Sequence, residues 1–466
     1  MELRFTDGTT TIRILPTGGE AVLKRYTPQM PEIDPVDTGG ATMDGGERPL
    51  APYRNVSEQI DLVWEGDLAE QRAAINTLNR LFQQARHRQR TGMAARVYLE
   101  FRPGSTGDWW RSEILSGRVL VDDADLEFDL QLVNVALEAA IIYTRRFFWE
   151  GPEAQIPLTN GNGQNNTAGL TVVNHDDADA GDDNYVAIAS TAISGDLPAP
   201  PRLEMTNSYD SATRASTIYV AHNAFSAPGT LAHILEAEDA AGGTPTEHAT
   251  ASAGYYSALS WEATTETLLL NWEISTEQLN ALGGNYVRLL MRLYSNTIYT
   301  DLWLRVRIKY KSLTTLWEGP RMLAVPNQSL QDLGAVQLPP YLLGAGNIKE
   351  LNLMLYGTRA QAGSHGLNVD FLQVAPCDGY RRLVPKGYHL EYQSRLIDDM
   401  VEGLLWADTG ADTAKVGIYV TYGAPILLEP GRDQRLYFLH SGWTGGAGID
   451  RTLSVKAFYR PRRLTL

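Results

Sequence analysis

The stretch ILEAEDAAGG, Ile234–Gly243, decides how the chain divides. Two apolar residues lead into Glu236 and Glu238, one alanine apart, and the run breaks on paired glycines. Alternate positions of a strand share a face, so the two carboxylates project together. From there to LNVDFLQVAP, Leu367–Pro376, the chain is a succession of alternating segments: TLLLNWEI, YVRLLMRLYS, LWLRVRIKY, SLTTLWEG and ELNLMLYG. Alternation at period two marks half-buried strands, and many of them without a convincing helix predict a β-sandwich or jelly roll.

The sequence on either side has a different texture. Upstream, TTTIRILP, AVLKRY and VSEQIDLVWEG read as strands, followed by the one convincing helix, DLAEQRAAINTLNRLFQQARHRQ, residues 67–89. Its apolar positions Ile75, Leu78, Leu81, Phe82 and Ala85 recur at helical spacing, Asp67 is placed to cap it, and its other face carries Arg72, Arg80 and Arg86. Strands return in ARVYLEFRP, WWRSEILSGRVLVDD and the run ending FFWEG, so one helix over a small antiparallel sheet predicts an α+β domain over 1–150. Between AVLKRY and VSEQIDLVWEG lies a Pro- and Gly-rich stretch, Pro28–Tyr53, long enough to act as an arm. Asn-, Gly- and Asp-rich strands follow over 151–233, and a last group, including YHLEYQS, VGIYVTYG, LYFLHSG and TLSVKAFYRP, fills 383–466. The fold expected is mainly β: an α+β domain, then a β-sandwich interrupted by a β jelly roll over 234–382.

Composition excludes several functions. The 466 residues suggest roughly three domains. A formal net charge of −15 argues against direct nucleic-acid binding, which needs clustered Lys and Arg. Cys377 is the single cysteine, so no internal disulfide and no cysteine-based zinc site is expected. No stretch has the ~20 apolar residues that cross a bilayer, and MELRFTDG lacks the basic and apolar regions of a secretory signal.

Catalytic signatures are missing as well: there is no G-x-S-x-G, no phosphate-binding glycine loop with lysine and no H-E-x-x-H. The acidic pairs, Asp398/Asp399 among them, are more often solvated turns than a cleft pair, so no enzyme activity is expected. NHDDADAGDDN, Asn174–Asn184, has the oxygen ligands of a calcium loop but not EF-hand spacing, and reads as an acidic turn.

Two resemblances organise these segments. The N-terminal unit through FFWEG resembles the ring-forming domain of siphophage distal tail proteins, and the stretch ending GDLPAPPRLEMTN resembles the entry to their second, sandwich domain. At the far end, LLEPGRDQRLYFLHSG and TLSVKAFYRPRRLTL resemble how that sandwich closes, with Pro430–Gly431 turning into a strand and Arg460, Pro461 and Arg462 near the terminus. The resemblance implies a structural virion protein, assembled in the host cytoplasm. It would form a ring, a hexamer, at the tail tip or baseplate and join the tail tube to other tail-tip and host-recognition proteins. The arm would then reach toward a neighbouring copy.

ILEAEDAAGG is similar to the first strand of carbohydrate-binding jelly rolls that begin Glu-Ala-Glu and end on a strand carrying an Asp before Pro, here Asp370. That implies a structural calcium ion held by Glu236, Glu238 and Asp370, against the simpler reading that alternate strand positions face solvent. It also implies host-glycan binding through exposed aromatic rings, for which Tyr255, Tyr256 and Tyr299 are the candidates, while the other aromatics of the strands are expected in the core. A spacer without sugar binding and a carbohydrate-binding adhesin with no ring-forming role are the alternatives.

Overall fold

The computed structural model describes residues 1–466 apart from 19, 34–52, 122–135, 161–167, 175–183, 209–213, 225–233, 249–250, 275–285, 294–300, 311–313, 325–329, 338–350, 388, 409–414, 417–418 and 443–451. The described chain forms two compact units: Met1–Glu153 with Ser194–Leu197 and Arg460–Leu466, and Ala154–Ile193 with Pro198–Tyr459.

The first unit has the expected sheet and single helix, and its strands form a closed circuit. Strands Trp110–Val121, Tyr98–Arg102, Glu2–Thr6, Thr11–Leu15, Ala21–Tyr26, Val56–Trp64 and Leu137–Arg145 follow one another, and the last pairs back onto Trp110–Val121. The sheet therefore closes into a barrel, which removes its exposed edges. One pairing, Thr11–Leu15 with Ala21–Tyr26, is parallel. Two short strands extend the sheet beyond the closure: Trp149–Glu150, and Arg462–Arg463 from the C-terminus.

The helix Leu68–Thr91 starts where the sequence places it. Asp67 accepts from the Glu70 backbone N–H, and the Glu70 carboxylate reaches back to the Asp67 N–H, so a full capping box satisfies two orphan donors. Leu78, Leu81, Phe82 and Ala85 are buried against Leu3, Phe5, Ile60, Leu62 and Tyr143, with Ile75 at the margin. Phe82 lies edge-on to Phe5 at 5.5 Å and presses on Gly117, where a Cβ would stand 2.6 Å from its ring. Only glycine admits the helix at that distance.

A buried ion pair sits within this apolar interior. Glu58 accepts from Tyr26 (3.0 Å), Tyr143 (2.5 Å) and Arg145 (2.7 Å), and the side chains of Glu58 and Arg145 are wholly buried. Burial and the neighbouring carboxylate push both phenols far above their usual range, so they remain donors. The same carboxylate accepts from the Gln29 N–H, and Arg145 donates to the Gln29 carbonyl, so the start of the arm is fixed to the barrel. At the arm's base Ile33 bridges to Tyr53, whose ring stacks on Phe147 at 5.4 Å. The span of the arm between them lies outside the described residues.

The second unit contains two double-layered β structures. In the first, the sheet of Leu170–Val172, Leu453–Tyr459, Arg202–Asn207, Arg395–Asp399, Leu404–Asp408 and Lys415–Val416 faces the sheet of Tyr185–Ile188, Gln434–Gly442, Ala215–Asn223, Gly379–Pro385 and Tyr419–Tyr422. One apolar core, including Val220, Leu383, Phe438 and Val455, fills the space between them. In the second, Thr244–Glu247, Tyr255–Trp261, His365–Pro376, Tyr286–Leu293 and Leu330–Gln337 face Thr267–Ile274, Leu351–Arg359, Leu302–Tyr310 and Thr315–Glu318 around another core. Ile234–Glu236 pairs with His365–Pro376, so the first and last strands of this layer are neighbours.

The described strands of the second structure pair only among themselves. The chain leaves the first at Asn223 and re-enters at Gly379, and these lie side by side: His222 is the register partner of Gly379. A further apolar cluster joins the two structures, with Tyr219, Ala221, Tyr437 and Leu439 from one and Leu290, Leu330, Phe371 and Ala375 from the other. Beside it Arg288 makes a forked bond to Asp332 while its guanidinium lies 4.3 Å from the Tyr380 ring centre.

Removing one partner of a fully buried ion pair leaves the other uncompensated and costs about 3–5 kcal/mol. Glu58→Ala should lower the melting transition of the first unit steeply, and Glu58→Gln, which retains an acceptor, should lower it less; differential scanning calorimetry of the full chain reads both.

Candidate functional site

Strand pairing brings together the carboxylates that the sequence separates. Ile234–Glu236 runs antiparallel to His365–Pro376, Glu236 opposite Phe371, and the Ala237 N–H continues the ladder to the Asp370 carbonyl at 2.9 Å. Ser252 links two of the three side chains: its hydroxyl donates to Glu236 Oε1 at 2.6 Å and its N–H to Asp370 Oδ1 at 2.9 Å. Glu238 stands near enough to Asp370 and Asp239 to feel their charge. Burial, resisted by a hydrogen bond to its own backbone and helped by those two carboxylates, pushes its carboxyl up to about 7. Glu238 Oε2 is buried without a hydrogen-bond partner among the described residues.

A fourth residue at this corner went unforeseen. Arg292 of Tyr286–Leu293 places Nη1 3.0 Å from Asp370 Oδ2, with both side chains buried. Arg292 is opposite Phe371 in an unbroken ladder, and the register shifts just beyond it: Leu293 pairs with Val369, so the irregularity falls at Asp370. An arginine in the middle of YVRLLMRLYS has the look of an outward-facing residue, and only the pairing reveals its inward role.

The donor chemistry suits a hard divalent cation, since every candidate ligand is a carboxylate oxygen, and Arg292 pairs with one of them, Asp370. As they stand, the distances do not enclose an ion: Glu236 is turned onto Ser252, and among the described residues no three His, Cys, Asp or Glu side chains converge as a metal set.

The aromatic candidates separate. Tyr255 and Tyr256 open the strand Tyr255–Trp261 opposite Glu247 and Thr246. Being consecutive, they face opposite sides, so they cannot form one stacking platform. Tyr255 is 42% exposed, while Tyr256 is half-buried with its ring near His248. Tyr299 lies outside the described residues.

An aromatic expected in the core does not go there. Trp303 is 44% exposed, because Leu302, Leu304, Val306 and Ile308 take the inward positions of their strand and Trp303, Arg305 and Arg307 the outward ones. Leu323 and Thr358 flank Trp303 on the neighbouring strands, and Tyr356, under the Arg307 guanidinium at 4.5 Å, is opposite the exposed Leu268. Arg305 and Arg307 are in turn tied to Glu266 and Glu318. The period of two in LWLRVRIKY carried this signal.

Asp398 and Asp399 serve the fold. Asp398 takes a forked bond from Arg381, and burial raises its carboxyl against that pairing. Asp399 accepts from the Val401 and Glu402 N–H groups and closes the turn after its strand. Neighbours on one strand, they point to opposite faces and do not converge on a cleft. The acidic run 175–183 lies outside the described residues. Among the described residues no helix is long and apolar enough to cross a membrane.

No protein-family model matches the chain, and no curated protein does. Among solved structures it is similar to the Dit protein of phage SPP1, described as a paradigm of the hub adsorption apparatus in phages infecting Gram-positive hosts. That match covers 95% of this chain and 93% of the other at 8% identity, with a TM-score of 0.33. It is also similar to a chain of the phage P2 baseplate in its activated conformation with Ca, covering 99% and 97% at 8% identity and a TM-score of 0.31. The VP2 subviral particle of infectious bursal disease virus matches over 57% and 65%, at 8% identity and a TM-score of 0.18. Scores this low carry no argument on their own.

Removal of one partner at the Arg292–Asp370 pair tests the corner directly. Arg292→Met should destabilise the jelly roll by about 3–5 kcal/mol, and adding Asp370→Asn should recover part of that loss because no buried charge is then stranded. Thermal melts of the two variants beside the parent chain provide the comparison.

Proposed function

We propose that this chain is a structural protein of the tail tip of a long-tailed phage, a ring-forming distal tail component. In this reading it resides in the virion, joins the tail tube to host-recognition proteins and carries the jelly roll as a module facing host glycans. One observation supports it most. The two stretches that carry the resemblance at opposite ends of the sequence, FFWEG and YRPRRLTL, meet in one sheet: Arg462–Arg463 pairs with Trp149–Glu150, and the Arg462 guanidinium binds Glu150 at 2.8 Å. The resemblance puts these stretches at the two ends of a frame around the interrupted sandwich, and their pairing in one sheet supports reading them as parts of one frame.

A ring needs a heterologous face that closes under rotation. Negative-stain microscopy and mass photometry of the purified chain should show closed rings, six-fold if the resemblance holds in full, with peripheral knobs. Strict monomers at high concentration would sink this reading and favour the adhesin, for which exposed Trp303 is the specific support; a glycan array on Trp303→Ala then decides.

A structural calcium ion belongs to the same reading. Glu236, Glu238 and Asp370 would hold it, with Glu236 exchanging Ser252 for the metal, and the ion would neutralise the charge that Arg292 leaves unbalanced. Calcium should raise the melting temperature of the chelator-treated chain, and Glu238→Gln should abolish that increment. An unchanged melting curve would show that Arg292 alone suffices.

A further inference from the structure

The run YTRRFFWEG, Tyr143–Gly151, sends Tyr143, Arg145 and Trp149 into the first unit and leaves Arg146, Phe147 and Phe148 half-buried at its margin. Tyr53 stacks on Phe147 at 5.4 Å, and Phe147 meets Phe148 edge-on at 5.0 Å. The fixed start of the arm adds two bare apolar side chains. Ile33, bridged to Tyr53, is 57% exposed, and Met30, which follows the Gln29 held by Glu58 and Arg145, is 67% exposed. Large apolar groups gathered at the surface mark a face that another molecule covers.

Arginines rim the rings. Arg462 lies over Phe148 at 4.1 Å and Arg463 over Trp110 at 4.7 Å. Stacking occupies the flat face of a guanidinium and leaves its N–H edge for an acceptor. Glu150 is bound by Arg462 at 2.8 Å and Arg111 at 3.3 Å, and Glu113 by Arg146 at 3.1 Å, with Arg88 at 3.7 Å. Arg460 donates to the Gly151 carbonyl, and Arg96 lies near enough to Arg462 for its charge to be felt there. Burial, and then Arg111, lower the basicity of Arg460. Glu32, Glu153 and Asp196 are exposed carboxylates at the margin, and the arginines outnumber all these acids together. Arg146 keeps 43% of its side chain exposed, and Arg463 is exposed.

Rings and methionine at the centre with arginine around them is the composition enriched at protein–protein interfaces. The charge says which partner fits. The whole chain carries −15, so its surface away from this basic patch is more acidic still. Two patches face to face would set arginine against arginine, whereas a second copy offering its acidic remainder meets opposite charge.

We infer that this aromatic and arginine surface docks a second copy of the chain, which presents a face other than its own patch. Such a contact is heterologous, and its repetition closes into a ring where the rotation allows. The inference rests on the self-association proposed above and names one of the two surfaces that produce it.

Two variants of the full chain test it, altered at different residues of the patch. One carries Met30→Asp and Ile33→Asp; the other carries Arg146→Glu and Arg463→Glu. Each should melt with the parent chain and associate at least about tenfold more weakly by mass photometry. Should one variant melt early, the other decides. Either variant, fused to a tag that sets its mass apart, should still bind the parent chain and cap it, because the face opposite the patch is intact.

Parent-like assembly of the variants overturns the patch as the contact and leaves ring formation standing. Weak variants that also fail to bind the parent chain overturn the heterologous contact, since a patch that pairs with itself behaves that way. A parent chain that never self-associates overturns both this inference and the ring.

Discussion

The adjacency of Asn223 and Gly379 is the constraint on which the second unit depends. Two strands far apart in sequence, Ala215–Asn223 and Gly379–Pro385, pair in register through Val220 and Arg381 to His222 and Gly379, and this places the exit and re-entry of the chain next to each other. Closing so long a loop is inexpensive, since its entropic cost grows only with the logarithm of length. The site itself is tight: a Cβ at Gly379 would meet Ile426 at 3.1 Å and His222 at 3.3 Å. On the module side the same closeness recurs, because Ile234–Glu236 pairs with the last strand of the layer. Both partners of the interruption therefore have adjoining ends, and neither has to distort.

What distinguishes this insertion from a tethered bead is the apolar cluster between the two β structures. Phe371 and Leu290 on the module meet Tyr219 and Tyr437 on the host, and Leu330 donates its N–H to Ser441 Oγ at 3.3 Å. Phe371 is a neighbour of Asp370, so the strand that supplies one side of the carboxylate corner also supplies the joint. Function that needs a module held at a fixed angle is served by such a joint; a flexible linker would have left that surface apolar and exposed.

A common device recurs in the three cores. The barrel holds Glu58 with Arg145, the jelly roll Asp370 with Arg292, and the interrupted sandwich Asp398 with Arg381, each pair buried. Buried ion pairs contribute little net stability against an apolar replacement, but breaking one is costly, so they penalise alternative registers. For a protein made almost wholly of strands this matters, because a one-residue slip would carry an arginine or a carboxylate to the wrong face.

Much of the fold was legible in the chain. Alternation located many of the strands and Asp67 marked the helix start, because these are properties of neighbouring residues. Trp303 was expected in the core and is exposed instead; the alternation of Leu302 and Leu304 about it held the signal, which the general tendency of strand aromatics to be buried obscured. The closure of the first sheet, the meeting of FFWEG with the C-terminal arginines and the arrival of Arg292 at Asp370 were not legible. Each depends on which strand pairs with which and in what register, and that is decided by the packing of all the strands together, so no local pattern records it.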